Sequence, residues 1–345
     1  MGPLRIGIVG TAFARTRCAM VAELAETELA GVCGRDAART SALAGQYGVG
    51  ASTDYRSFVA RPDLDAVGVY TSTDLHVEIG LAAAAAGKHV IVSKPTAVEP
   101  ARAEQLLRAC RAAGVRLVVE FDTRYQAGPY QVYRGIVDGR FGPIIQGEYA
   151  NKCYRPQSYY DGAGRWRAIA SQGGGCVLNQ GVHAVDHLLW YQGVPDGVSA
   201  ASGTFAHDMP AEDAASAVLR FPGGSLATFT ATTTFRNTLP DSSYGGGTLK
   251  RAQVHGPDGS ATVAGTTIAE WVSVTAEPAA SALPDTPPRN VFQDFAWALA
   301  DPARPEHTLV ADERALDSVY VCAAIRESAA TGRYVRIDEL RGTRP

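Results

Sequence analysis

The sequence has no marked excess of either charge and no long apolar run, and each absence excludes a class of protein. Its 345 residues include 32 basic and 35 acidic side chains, and no basic block points to a nucleic-acid partner. No apolar stretch is long enough to cross a bilayer, and the first residues lack the parts of a signal peptide. We therefore expect a cytoplasmic protein with no nucleic-acid or membrane partner.

The cysteines give no sign of a cross-linked or zinc-binding protein. The six thiols are scattered without a C-x-x-C pair: Cys18, Cys33, Cys110, Cys153, Cys176 and Cys322. This spacing favours free, mostly buried thiols over a disulfide framework or a zinc cluster. A chain of this length can bury a large core and is expected to divide into two domains.

Short apolar runs alternate with helical segments over the first third of the chain. Runs such as I-G-I-V-G and H-V-I-V-S are typical of buried strands, and E-P-A-R-A-E-Q-L-L-R-A-C is typical of a helix. The alternation predicts βαβ units and a parallel sheet, whose carboxyl strand ends are where ligands bind.

After about Tyr125 the runs become strand-like, with Gly, Pro and Asp at the turns, which predicts an antiparallel sheet. The expected fold class is α/β, with an N-terminal Rossmann-type parallel sheet domain over residues 1–124. Residues 125–345 would form a C-terminal α+β domain on a large, mainly antiparallel sheet. We expect this second domain to bind substrate and to join subunits in a homodimer or homotetramer.

The loop after the first strand reads G-T-A-F-A-R and departs from the dinucleotide pattern G-x-G-x-x-G. Gly10 keeps the tight turn, whereas Ala12 and Arg15 occupy the second and third glycine positions. We expect Gly10, Thr11, Ala12 and Phe13 to bind a dinucleotide through backbone N–H groups at the helix N-terminus.

A second candidate stretch is S-K-P, where an apolar strand ends at Ser93, Lys94 and Pro95. A lysine at a strand's carboxyl end can face a ligand crevice. Beside a positive nicotinamide ring its ammonium group would be destabilised, which makes proton transfer easier. The alternative is a surface lysine in a loop, although Pro95 holds the chain rigidly there.

The stretch G-G-G-C-V-L-N-Q-G-V-H-A-V-D-H combines flexible backbone with polar side chains. Its glycines permit close approach to a ligand, and a helix would place Asn179, His183 and Asp186 on one face. His183 would then exchange a proton with a sugar hydroxyl, and Asn179 would bind the substrate. The alternative is a polar cap on a core helix, especially for Asp186 and His187.

A metal site is a further interpretation of the same stretch. H-A-V-D-H has the shape of the zinc motif H-x-x-E-H, with Asp for Glu. Because no third ligand is evident, we expect no metal.

Hydroxyl side chains follow another predicted strand in Y-T-S-T-D-L-H. Thr71, Ser72 and Thr73 can cap the next helix, and they can equally contact a dinucleotide. The two interpretations stay open at this point.

These stretches, in this order, resemble the Gfo/Idh/MocA family of NAD(P)-dependent sugar oxidoreductases. A-G-K-H-V-I-V-S-K-P is similar to the family's A-G-K-H-V-x-x-E-K-P, and the glycine-rich stretch to G-G-G-x-L-x-D-x-G-x-H-x-x-D. Y-T-S-T-D-L-H is similar to A-T-P-N-x-x-H, and E-F-D-T-R-Y-Q to G-Y-N-R-R-F. With the closing helix, the resemblance spans nearly the whole chain.

The resemblance implies that Lys94, Asn179 and His183 take the catalytic positions. It adds His76 and Ser93 to the cofactor contacts and Arg124 to the substrate contacts. The segment Y-R-P-Q-S-Y-Y…W-R-A, with N-Q-G-x-H, resembles a subgroup that includes sugar-nucleotide 3-dehydrogenases. It implies a substrate set of Tyr154, Arg155, Tyr159, Trp166 and Arg167.

The two arginines of that segment, Arg155 and Arg167, can bind a carboxylate or phosphate. Their alternative role is pairing with acidic neighbours on the domain surface.

Two further departures from the family concern the cofactor. Ser93 replaces the family's Glu before Lys94, and Gly34 stands where many relatives carry the acid that holds the ribose. Arg35 can face the 2′-phosphate of NADP. We expect NADP or NAD as cofactor, with a slight preference for NADP.

The function expected from these features is reversible hydride transfer between nicotinamide and a secondary carbinol of a sugar or sugar derivative, including a nucleotide sugar at C3. One alternative is a redox-neutral NAD-dependent glycosidase, epimerase or dehydratase of the same fold. Another is a non-catalytic protein that senses a sugar or cofactor.

Overall fold

A computed structural model describes residues 2–12, 14–239, 247–276 and 280–341. Elements up to residue 137 are β1 (Leu4–Val9), α1 (Ala14–Ala22), β2 (Thr27–Cys33), α2 (Ala37–Gln46), β3 (Gly50–Ser52), α3 (Tyr55–Val59), β4 (Ala66–Val69), α4 (His76–Ala85), β5 (His89–Ser93), α5 (Pro100–Ala112), β6 (Leu117–Glu120) and α6 (Ala127–Val137). The later elements are β7 (Gln146–Lys152), α7 (Val182–Gln192), β8 (Gly197–Gly203), β9 (Ala214–Arg220), β10 (Leu226–Thr232), β11 (Leu249–Gly256), β12 (Gly259–Ala264), β13 (Thr267–Ser273), α8 (Val291–Ala300), β14 (Val310–Ala311), α9 (Arg314–Thr331), β15 (Val335–Arg336) and α10 (Ile337–Leu340).

The first sheet has the strand order β14-β6-β5-β4-β1-β2-β3. Its strands pair in parallel, except that β14 runs antiparallel to β6. Every residue of β4 and β6 is buried, as expected for parallel strands that are covered on both faces. The prediction of a Rossmann-type parallel sheet is confirmed.

The second sheet has the strand order β13-β12-β11-β7-β10-β9-β8-β15. Its pairs are antiparallel apart from β10 with β7. Along β9 and β10 buried and accessible residues alternate, so that one face of these strands packs into the core. The prediction of a large, mainly antiparallel sheet is confirmed.

The chain divides into two compact units, and the division is not a single break. The first unit is Met1–Tyr125 with Pro288–Leu316, and the second is Gln126–Pro287 with Asp317–Pro345. The expected boundary after residue 124 lies one residue from the first crossing point. The return of Pro288–Leu316 was not expected, and it arises because β14 pairs with β6, Val310 opposite Val119.

A buried carboxylate fixes this returning segment. Asp294 on α8 is 1% exposed and accepts hydrogen bonds from Arg304 at 2.6 Å and from the Tyr125 hydroxyl at 3.3 Å. Thr308 donates to the same carboxylate. A charge this deeply buried is tolerated because it is paired and hydrogen-bonded.

The six cysteines are free and buried, as the sequence predicts. Among the described residues, no helix has both the length and the apolar character needed to cross a membrane. The oligomeric state and the cytoplasmic location stay predictions.

We expect Asp294→Asn to lower the free energy of unfolding by about 2–4 kcal/mol, because Arg304 would lose its buried charged partner. Urea denaturation of the purified variant measures this change. Asp301→Asn is the control, since Asp301 is exposed at the end of the same helix. Equal stability of the two variants would contradict a central role for Asp294.

Candidate functional site

The loop after β1 is a turn that only glycine fits. Gly10 has a φ of 131°, and a Cβ atom there would lie 2.4 Å from the carbonyl oxygen of Tyr70. Its N–H group donates to the Cys33 carbonyl at 2.8 Å. The turn is thus held between the ends of β2 and β4.

The helix that follows explains why the departures from G-x-G-x-x-G are tolerated. α1 begins at Ala14, which is fully buried, whereas Arg15 is exposed. Close packing is therefore made by Ala14, and the bulky side chain at position 15 does not enter the core. Thr11 is partly buried and Ala12 is exposed, while Phe13 lies outside the described residues.

The end of β2 lacks room for the acid that many dinucleotide sites carry. A Cβ atom at Gly34 would lie 2.4 Å from the Thr11 methyl group and 2.8 Å from the Thr40 hydroxyl. Arg35 is exposed, and Asp36 caps α2 by accepting the Arg39 N–H. The first charged side chain after β2 is therefore the guanidinium of Arg35.

The hydroxyl residues after β4 have different environments. Thr71 and Ser72 are partly accessible, whereas Thr73 is 4% exposed. Ser72 precedes the short 3-10 turn Thr73–Leu75, but its hydroxyl makes no capping hydrogen bond. Helix capping by Ser72 is thus not observed.

Lys94 follows β5 at the same edge of the first sheet, because β1, β4 and β5 run in parallel. Lys94 is partly accessible, and its peptide bond to Pro95 is cis. His76 is 1% exposed, with its ring nitrogens directed at Pro95, Ser93 and Thr71. A direct contact between His76 and the cofactor stays a prediction. The burial of the ring argues against such a contact.

An ion pair at this edge was missed in the sequence. The Arg17 guanidinium on α1 contacts the Glu120 carboxylate at the end of β6, at 3.0 Å in the ion pair. It also lies 5.7 Å from the ring centroid of Tyr70. Arg124, in the turn after β6, is 6% exposed.

In the second unit, Asn179 lies in a π-helical turn, Val177–Gly181, and not in a regular α-helix. α7 starts directly afterwards, and His183 lies in its first turn. Asn179 and His183 are partly accessible, whereas Asp186 and His187 are 2% and 3% exposed. The expected α-helical face is therefore altered: its last member, Asp186, lies in the core, and so does the neighbouring His187. π-helical turns recur at functional sites.

The glycine run connects this π-helical turn to the arginine segment, the stretch that contains Arg155 and Arg167. The Asn179 N–H donates to the Gly175 carbonyl at 3.2 Å, and the Gly175 N–H donates to the Arg167 carbonyl at 3.0 Å. Gly175 has a φ of 90°, and a Cβ atom there would lie 2.4 Å from the Glu212 carboxylate. Glu212 accepts the Val177 N–H at 3.0 Å, and burial raises the pKa of its carboxyl group.

Two predicted substrate residues converge on one aromatic ring. The guanidinium groups of Arg155 and Arg167 lie 5.4 Å and 4.5 Å from the ring centroid of Tyr159. Arg167 also lies 4.7 Å from the centroid of Trp166. Cation–π contacts hold both charges in place, and two cations near one ring form an environment that favours an anion.

Two neighbours of this segment were not found from the sequence. Arg236 lies 3.9 Å from the ring centroid of Tyr154 and donates to its hydroxyl at 2.6 Å. His207 lies 2.7 Å from the Arg155 carbonyl and 3.0 Å from the fully buried Asp213 carboxylate. Both ring nitrogens of His207 thus face acceptor oxygens.

The described part of the chain contains no group of three or more His, Cys, Asp or Glu side chains that could hold a metal ion. His187, which the zinc interpretation needs beside His183, is buried in the core.

A glycine turn at the edge of a parallel sheet, with a second unit built on a mainly antiparallel sheet, is typical of two-domain proteins of the dinucleotide-binding class. Residues 4–121 match the Gfo/Idh/MocA oxidoreductase family with its NAD-binding Rossmann fold, and residues 130–262 match the family's C-terminal domain. The chain belongs to the Gfo/Idh/MocA family of NAD(P)-dependent sugar oxidoreductases.

Several relatives of the chain are named for reactions on sugars. The chain is 31% identical over 239 residues to 1,5-anhydro-D-fructose reductase of Ensifer adhaerens, which covers 68% of this chain and 67% of the relative. It is 30% identical over 226 residues to D-xylose 1-dehydrogenase (NADP(+)) 2 of Haloferax volcanii, with 65% and 68% covered.

A solved structure is similar over almost its full length. The WlbA dehydrogenase from Bordetella pertussis, in complex with NADH and UDP-GlcNAcA, is 28% identical to this chain with a TM-score of 0.83. The likeness covers 97% of this chain and 98% of that structure.

Gly10→Ala is expected to lower the free energy of unfolding by about 2 kcal/mol or more, because the methyl group meets the Tyr70 carbonyl at an unfavourable φ. Gly45→Ala, in α2, is the matched control, since no atom lies within 4 Å of its Cβ position. The control is expected to gain about 0.5–1 kcal/mol. Thermal and urea unfolding compare the two, and a neutral Gly10→Ala would contradict the tight turn.

Proposed function

We propose that this protein transfers hydride reversibly between a nicotinamide dinucleotide and a secondary carbinol of a sugar or sugar derivative. The observation that carries the proposal is the position of Lys94 at the end of β5, on the sheet edge that also holds the Gly10 turn. A cation at this edge can act on the substrate oxygen while the turn holds the cofactor phosphates.

The residues of the first unit fit a dinucleotide. Because Gly10 has no Cβ atom, the backbone of the turn can lie close to the Tyr70 carbonyl. The N-terminus of α1 follows directly after this turn. A helix N-terminus attracts phosphate through free N–H groups and its dipole. When bound, the nicotinamide supplies the hydride acceptor or donor.

In the oxidation direction, the carbinol carbon loses hydride and the carbinol oxygen loses a proton, leaving a carbonyl group. His183 takes the proton from the oxygen, and Lys94 stabilises the negative charge that develops on it. Asn179 hydrogen-bonds a neighbouring sugar hydroxyl and fixes the orientation of the ring. Lys94 can also relay the proton onwards.

The proposed substrate carries an anionic group, as a nucleotide sugar oxidised at C3 would. The two guanidinium groups over Tyr159 support this choice, because arginine binds carboxylate and phosphate through paired N–H donors. The similarity to a dehydrogenase structure that contains UDP-GlcNAcA supports the same class.

Lys94→Ala is expected to lower kcat by about 10²–10⁴-fold, since the charge on the developing alkoxide would lose its partner. Nicotinamide absorbance with a panel of sugars and nucleotide sugars measures turnover. Lys88→Ala is the matched control, because Lys88 precedes the opposite end of β5 and donates to the Leu64 carbonyl.

Undiminished turnover in Lys94→Ala would contradict the proposed role. Product that forms without a net change in nicotinamide absorbance would instead favour the redox-neutral reaction. Persistent absence of both turnover and nicotinamide binding in the unmodified protein would favour a sensing role.

We also propose a preference for NADP over NAD, supported by the exposed Arg35 and by the space that Thr11 occupies beside Gly34. Arg35→Ala is expected to weaken NADP binding by about tenfold and to leave NAD binding within about twofold. Fluorescence titration measures both dissociation constants. Arg108→Ala, at an exposed position of α5, is the control, and equal losses for both cofactors would contradict the preference.

A further inference from the structure

One buried histidine is bonded to both residues that flank Lys94. His76, the first residue of α4, is 1% exposed. Its Nδ1 atom lies 2.9 Å from the Pro95 carbonyl oxygen, and its Nε2 atom lies 3.1 Å from the Ser93 hydroxyl. Nε2 is also 3.3 Å from the Thr71 carbonyl oxygen. A single ring thus joins the end of β5 to the loop after β4.

The partners determine which ring nitrogen carries the proton. A carbonyl oxygen only accepts, and the Pro95 carbonyl is the nearer of the two around the ring, at 2.9 Å against 3.3 Å for Thr71, so we assign the proton to Nδ1, which donates to Pro95. In a neutral ring Nε2 is then an acceptor, and the Ser93 hydroxyl can donate to it. Burial lowers the pKa of His76, which keeps the ring neutral at pH 7 and preserves this arrangement.

We propose that the hydrogen bond from Ser93 to His76 positions Lys94 for its reaction. The Pro95 carbonyl holds the His76 ring, and the ring in turn holds the Ser93 hydroxyl. The residues on both sides of Lys94 are therefore fixed by one side chain. The inference rests on the proposed function for the catalytic role of Lys94. His76 itself is a positioning residue, because its ring is buried and its nitrogens face protein oxygens.

Ser93 is suited to this arrangement in a way that an acid is not. A hydroxyl group donates to a neutral imidazole, whereas a carboxylate beside Nε2 would need a second proton on the ring. The serine in place of the family's Glu therefore matches a neutral His76 in this chain. The pair keeps a negative charge away from the backbone of Lys94.

A pair of nearly equal-sized variants isolates the hydroxyl group. Ser93→Thr keeps the donor, whereas Ser93→Val replaces it with a methyl group, and both are favourable in a strand. We expect kcat of Ser93→Val to be about tenfold lower than kcat of Ser93→Thr, with the sugar KM and the nicotinamide Kd of the two variants within about twofold of each other. Equal kcat values for the two variants would overturn the proposal.

His76→Asn tests the other partner of the same bond. The amide can still donate to Pro95, but it is too short to accept from Ser93. It should lower kcat as Ser93→Val does, and the double variant should be no slower than the slower single variant, within about twofold. Additive losses would overturn the proposal. His89→Asn, at the start of β5, is the control and should retain kcat.

A spectroscopic measurement tests the positioning without any turnover. The sequence contains four lysines, Lys88, Lys94, Lys152 and Lys250, so ¹³C-dimethylation of the full chain gives few NMR signals. Lys94→Arg identifies the Lys94 signal by its disappearance. We expect this signal to move in Ser93→Val and His76→Asn and to stay in place in Ser93→Thr and His89→Asn.

The two measurements separate this inference from the proposed function. If the unmodified protein turns over no sugar, the proposed function fails, and a Lys94 signal that still moves as expected supports the positioning. A Lys94 signal that is identical in Ser93→Val and Ser93→Thr overturns the positioning, whatever the turnover.

Discussion

Parallel pairing of β1, β4, β5 and β6 is the constraint on which the candidate site of the first unit depends. It brings the carboxyl ends of these strands to one edge of the sheet. Gly10, Thr71, Lys94 and Glu120 all lie at that edge, although they are far apart in the chain. Hydrogen bonds around the buried His76 ring join two of the segments at this edge. The position of Lys94 therefore depends on packing that reaches well beyond Lys94.

The second unit uses a different device to present its polar residues. A π-helical turn precedes α7, so Asn179 is displaced from the regular helical register while His183 starts the helix. Backbone hydrogen bonds through Gly175 connect Asn179 to the carbonyl of Arg167. A displacement of the backbone at Arg167 would thus shift Asn179 through these hydrogen bonds.

Local patterns predicted both sheets. Strands that are buried on both faces appear as continuous apolar runs, whereas strands that are buried on one face alternate between apolar and polar residues. The π-helical turn leaves no such pattern, and neither does the ion pair between Arg17 and Glu120, whose members are 103 positions apart. β14 is two residues long, so its pairing with β6 had no signal in the sequence. His76 was found through its family resemblance, but its partners lie at the end of β5 and in the loop after β4, and no sequence pattern shows these contacts.

The central claim is that hydride passes between a sugar carbinol and nicotinamide on this protein. The most direct measurement uses a UDP-linked hexuronic acid with deuterium at C3, incubated with the protein and NADP, followed by mass spectrometry of the nicotinamide. The account predicts deuterium in the reduced nicotinamide ring, in equal amount to the 3-keto product. A 3-keto product accompanied by reduced nicotinamide without deuterium, or no product at all, would contradict it.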